Sequence, residues 1–158
     1  MVNGKRNLCE TIRAEALSAG FSACGFAPAT LAPRTGERLR QWLDDGRHGD
    51  MIWMESRADQ RAAPQSLWPA VQSVVMLGMS YAPGRDPMAL AGDGDTARIS
   101  VYAQGGDYHK TVKQALKRLA RAMIDLADEE ASVKVFVDTA PVMEKPLAEA
   151  AGIGWQGK

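Results

Sequence analysis

Between Gln72 and Ala82 the chain reads Ser-Val-Val-Met-Leu-Gly-Met-Ser-Tyr, almost free of polar residues over nine positions. A run this short and this apolar reads as an interior strand covered on both faces rather than a half-exposed one. Such a strand needs helices to cover it, and the sequence supplies them on both sides. Residues 5–19 carry Leu8, Ile12, Ala16 and Leu17 at helical spacing and stop at Gly20. Residues 108–127 carry Val112, Ala115, Leu116, Leu119, Met123 and Ile124 on one face, with Lys113, Lys117, Arg118 and Arg121 largely off it. Asp107 stands at the N-cap position, where its side chain can accept from the free N–H groups of the first turn.

The remaining elements fall around this frame. Phe21–Phe26 predicts a first strand closed by Pro28, and Glu37–Asp45 a helix stopped by Gly46. His48 to Glu55 predicts one or two helical turns, with Met51, Trp53 and Met54 packed in the core or, on a functional reading, forming a cavity wall for a large flat ligand. Residues 83–98 hold three Asp among Pro and Gly, a surface loop, and Ile99–Ala103 predicts a short strand or extended segment. Ser132–Asp138 (Ser-Val-Lys-Val-Phe-Val-Asp) predicts another strand, and roughly Val142–Ala151 a short helix with Pro146 in its first turn and Gly152 at its end. The order of elements predicts an α/β (α+β) fold, a sheet with helices packed on it, as a single domain over residues 1–158. The Gly-rich ending Gly154-Trp-Gln-Gly-Lys158 reads as leading onward, so the sequence is expected to be the amino-terminal portion of a longer protein.

Composition narrows the function classes. Of 158 residues, 46% are hydrophobic and 24% charged, and 19 Lys+Arg balance 19 Asp+Glu. A net charge of 0 argues against a strongly basic nucleic-acid module, leaving room for a local basic face, and against an acidic disordered tail. No apolar run reaches the ~18 residues of a membrane span, and Arg6, Glu10, Arg13 and Glu15 interrupt any leader-like core, so a soluble, cytoplasmic protein with no membrane partner is expected. Cys9 and Cys24 are too few for a disulfide scaffold and read as reduced, mostly buried residues. They are also too few for an iron–sulfur cluster, which takes about four thiolates, and His48 and His109 have no metal-ligand spacing, so no metal site is expected within the chain.

Three places could carry chemistry. Asp138 follows apolar Val135, Phe136 and Val137 and precedes Thr139-Ala-Pro141. A carboxyl at the C-terminal edge of a strand often faces a ligand crevice, and apolar neighbours would raise its pKa and make it a general acid; an N-cap or turn role is the structural alternative. Tyr102-Ala-Gln-Gly-Gly-Asp107-Tyr-His109 combines hydrogen-bonding side chains with Gly105 and Gly106, which allow close backbone approach to a ligand or simply form a loop and helix cap. Gly152-Ile-Gly-Trp-Gln-Gly-Lys158 could hug a flat ligand beside a charge or lead to a further strand. Arg57 and Arg61 lie on a polar segment where arginines are usually solvated. Neither GxxxxGK[ST] nor GxGxxG occurs, and no Ser-His or Cys-His pair can be assembled.

In order, four blocks resemble the amino-terminal part of the epoxyqueuosine reductase family. They are Arg57-Ala-Asp-Gln-Arg61-Ala-Ala-Pro64; Ser73 to Tyr81; Tyr102-Ala-Gln-Gly-Gly-Asp107-Tyr-His-Lys110; and Val137-Asp-Thr-Ala-Pro-Val142 followed by Leu147 to Lys158. The resemblance covers Gly4 to Lys158 and implies a cobalamin-binding domain related to nitroreductase-like folds and cobalamin-processing chaperones. It implies a downstream ferredoxin-like domain carrying two [4Fe-4S] clusters, whose eight cysteines this chain lacks, so that the chain alone would not be self-sufficient. It implies an oxidoreductase of queuosine biosynthesis that acts on tRNA carrying epoxyqueuosine and draws on a low-potential electron donor. By the matching motifs, Asp138 would donate a proton to the epoxide oxygen, and Arg61, Tyr102, Asp107, Asp138 and Lys158 would contact cobalamin. A non-catalytic cobalamin-binding module and a flavin nitroreductase-like domain are the competing readings.

Overall fold

A computed structural model of the chain describes residues 2–127 and 130–155. The elements run α1 (Val2–Ser18), β1 (Ala23–Pro28), α2 (Pro33–Asp44), a 3-10 turn (Ile52–Arg57), α3 (Ala58–Ala62), α4 (Pro64–Leu67), β2 (Ser73–Gly78), a second 3-10 turn (Val101–Ala103), α5 (Tyr108–Asp125) and α6 (Glu144–Ala150). Helices outweigh a small sheet, so the expected mixed fold holds, with fewer strands than expected.

The sheet is the antiparallel pair β1–β2, with Cys24 opposite Leu77 and Phe26 opposite Val75. Directly opposed residues share a face, and this face takes the larger side chains. Cys24, Phe26, Val75, Leu77 and Met79 pack on the core formed by Ile12 and Ala16 of α1, Phe21, and Ala115 and Leu119 of α5. Both cysteines are free and half-buried, and burial pushes the Cys24 thiol up. The other face offers Ala23, Gly25 and Ala27, and small residues there let α6 approach closely. A Cβ at Gly25 would meet the Ala151 carbonyl oxygen well inside the 3.0 Å that real Cβ atoms respect. Leu147 of α6 is fully buried.

Two expectations about strands fail. Val133, Val135 and Val137 are half-buried while Lys134 and Phe136 are exposed, so the period-2 pattern of residues 132–138 is real. The segment nevertheless pairs with no strand among the described residues. Propensity extends a backbone, but only a hydrogen-bonded neighbour makes it a strand. Residues 101–103 close into a 3-10 turn instead of extending, held by the Ala103 N–H on the Ser100 carbonyl at 2.9 Å. For the same reason β2 is half-buried rather than enclosed, since it has one partner strand. No helix among the described residues is long and apolar enough to cross a membrane.

Met51 and Trp53 also depart from expectation. They are exposed at 42% and 55%, at the cap and within the tight turn at 52–57, so the core reading fails and the cavity-wall reading stays open. Met54 is half-buried.

Candidate functional site

The start of α5 builds the site. Asp107 is its N-cap: its Oδ1 accepts from the His109 backbone N–H at 3.0 Å. The same oxygen lies 2.8 Å from His109 Nδ1, which fixes the imidazole. The bonds from His109 hold the Asp107 carboxyl below the usual carboxylate range. His109 stacks on the Tyr108 ring, with centroids 4.2 Å apart, and Tyr102 meets Tyr108 edge-on at 6.5 Å. Capping thus orients the His109 ring, on which Tyr108 stacks, since the first turn of a helix has free donors that a flanking acceptor satisfies.

Asp138 arrives from the far side of the sequence. The Tyr108 hydroxyl donates to Asp138 Oδ2, joining residues 30 positions apart. His109 Nε2 lies 4.0 Å from the same oxygen. The Asp138 backbone N–H donates to Glu144 Oε1 at 3.2 Å, at the start of α6. Asp138 has φ +51°, the only left-handed non-glycine among the described residues. Aspartate tolerates that region better than most side chains, but it is seldom occupied without a local reason. The turn aims the carboxyl at α5 while Glu144 secures the peptide behind it.

Electrostatics follow the geometry. The bond to Asp138 pushes Tyr108 up to about 12, so its hydroxyl stays a donor at neutral pH. Burial pushes the Glu144 carboxyl up, and the nearby Asp138 charge adds to this against the pull of the Asp138 N–H. Asp138 itself corrects an expectation. It does not end a paired strand, and its side chain is 52% exposed rather than enclosed by apolar neighbours. The bends at 137–140 carry the carboxyl to Tyr108 at the exposed start of α5.

Of the residues singled out from the sequence, Tyr102, Asp107 and Asp138 converge here. Arg61 stands apart on α3, half-buried rather than solvated, its guanidinium 5.1 Å over the Trp53 ring. Its Nε is buried and finds no hydrogen-bond partner among the described residues. Arg57 is exposed. Lys158 lies outside the described residues. Tyr108 and His109 belong to a block the sequence flags, but Glu144 carries no sequence signal: it is a helix-start glutamate whose role appears only once α6 docks.

The family described as "Epoxyqueuosine reductase QueG, DUF1730" matches residues 61–139, half of the chain. The chain belongs to this family. The matched span begins at Arg61 and ends just past Asp138, so it includes every residue of the cluster except Glu144. Among curated relatives, the epoxyqueuosine reductase of Aliivibrio fischeri is 38% identical over 154 residues, covering 97% of this chain and 41% of the relative. That of Xanthomonas campestris is 40% identical over 149 residues, covering 93% and 41%. That of Cellulophaga algicola is 37% identical over 157 residues, covering 99% and 49%. The chain therefore spans between two-fifths and one-half of these relatives. Epoxyqueuosine reductase from Streptococcus thermophilus shares the fold, with a TM-score of 0.74 over 92% of this chain and 39% of that one, at 24% identity. A crystal structure of epoxyqueuosine reductase with a tRNA-Tyr epoxyqueuosine-modified tRNA stem loop matches with a TM-score of 0.76 at 25% identity, covering 95% and 39%.

Proposed function

We propose that this chain is the cobalamin-binding catalytic domain of an epoxyqueuosine reductase, which reduces epoxyqueuosine to queuosine in tRNA, with Asp138 as proton donor to the epoxide oxygen. One observation carries the reading: the Tyr108 hydroxyl on Asp138 joins two separate family blocks at one carboxyl. The names of the relatives and the stem loop bound to a solved neighbour support the substrate. A tRNA-modifying role fits the cytoplasm.

Epoxide reduction breaks both C–O bonds, forms a C=C bond, consumes two electrons and two protons, and releases the oxygen as water. An alkoxide is a poor leaving group without a proton, so an acid must reach the oxygen. Asp138 is held by Tyr108 on one side and by Glu144 through its backbone, and its exposure lets water recharge it after each transfer. Tyr108 keeps its own proton and serves to orient the carboxyl.

The residues present fit cobalamin. Arg61 is a half-buried cation whose guanidinium N–H groups suit the amide side chains of a corrin, and Met51, Trp53 and Tyr102 are exposed surfaces of the kind a flat macrocycle covers. Arg61, Tyr102, Asp107 and Asp138, with Lys158, would hold it. When bound, cobalamin supplies the low-potential reducing chemistry, and the chain supplies position and protons. Two cysteines cannot ligate a [4Fe-4S] cluster, so electrons come from a donor beyond these 158 residues.

The test combines the chain anaerobically with cob(II)alamin, a strong chemical reductant and epoxyqueuosine-containing RNA, and detects queuosine by mass. Altered corrin absorption with product supports the proposal. Altered absorption without product assigns a non-catalytic cobalamin module. Unaltered absorption, or a yellow protein that releases flavin, overturns it.

A further inference from the structure

A basic groove on α5 lies away from the carboxyl cluster. Gln114, Lys117, Arg118 and Arg121, all from α5, line a shallow groove that is open to solvent. Their spacing puts them on one face of the helix, off the Ala115 and Leu119 face that fills the core. In a chain of net charge 0, α5 carries Lys110, Lys113, Lys117, Arg118 and Arg121 against the single acid Asp125. Among the described residues no carboxylate pairs with Lys117, Arg118 or Arg121. Arg118 is fixed in place, its Nη2 donating to the Ala19 carbonyl at 2.9 Å. An unneutralised cation stripe of this kind attracts phosphates, which release counterions on contact.

We propose that this groove binds the sugar–phosphate backbone of the RNA whose modified base is presented to Asp138. The choice of RNA rests on the proposed function. The helix connects the two places: Tyr108 is at its first residue and Arg121 is thirteen residues on, about 20 Å along the axis at ~1.5 Å per residue. One rigid element thus fixes the distance between the base-acting end and the backbone-holding end, and phosphate contacts set register without reading sequence.

The test measures binding of an unmodified tRNA stem-loop RNA, and of a scrambled stem loop, to the chain and to Lys117→Gln/Arg121→Gln, at salt from 50 to 200 mM. Arg118 is left intact because it ties α5 to α1, and circular dichroism confirms the fold of the variant. The groove predicts that the wild-type affinity falls about tenfold more over this salt range than that of the variant, equally for both RNAs. Equal salt slopes, or no RNA binding by the wild-type chain, overturn it. So does loss of binding to polyglutamate with RNA binding unchanged, which assigns the stripe to an acidic protein. Asp138→Asn tests the acid role separately, by product formation. If that variant still makes product, the acid role fails and the groove stands; if the groove variant binds normally, the groove fails and the acid role stands.

Discussion

Glu144 Oε1 accepts the backbone N–H of Asp138 at 3.2 Å, and this bond ties the first turn of α6 to the left-handed residue that carries the site carboxyl. Glu144 is half-buried and its carboxyl is raised above the ordinary value of 4.5, chiefly by burial. A carboxyl with a raised folded pKa favours the folded state while protonated. That contribution is complete below pH about 4.5 and is lost as pH rises through the folded value. Glu144→Gln keeps the accepting oxygen and removes the ionisation. It should leave stability nearly unchanged in acid and raise it at pH 7. Denaturant midpoints across pH 4–8 check this, and equal effects at both ends would contradict it.

Tyr108 gives a spectroscopic handle on the same carboxyl. Its phenol is raised from 10.0 to about 12, first by its hydrogen bond to Asp138. Ultraviolet titration of the three tyrosines should show one resisting ionisation beyond pH 11, and Asp138→Asn should bring it down. By linkage this bond supports folding below pH 10 and ceases to do so as pH climbs toward 12.

Gly25 holds the layer that positions Glu144. A methyl there collides with the Ala151 carbonyl at the end of α6. Gly25→Ala should cost about 1–3 kcal/mol, the usual range for overpacking. It should also lower the Tyr108 titration point, because a displaced α6 loosens Asp138. Thermal unfolding and the tyrosine titration read the two effects.

The sequence made the helices legible because their signals are local. The amphipathic face of α5, the Asp107 cap and the glycine stops need no knowledge of the rest of the chain. The two-stranded sheet was legible in position but not in partnership. Val133, Val135 and Val137 write a strand pattern, yet pairing depends on what lies alongside. Met51 and Trp53 look like core on composition, and only the fold shows them exposed, at the cap and within the tight turn at 52–57. Tyr102, Asp107 and Asp138 could be named from their blocks. The contact between Tyr108 and Asp138 spans 30 residues, and Glu144 enters only through the docking of α6, so neither could be read before the fold.

Proton donation by Asp138 is tested most directly by Asp138→Asn, in single turnover with cob(II)alamin, chemical reductant and epoxyqueuosine-containing RNA. The account predicts corrin absorption changes like those of the wild type, with queuosine formation slowed at least ~100-fold, the scale of a lost general acid. Queuosine formed at the wild-type rate would contradict it.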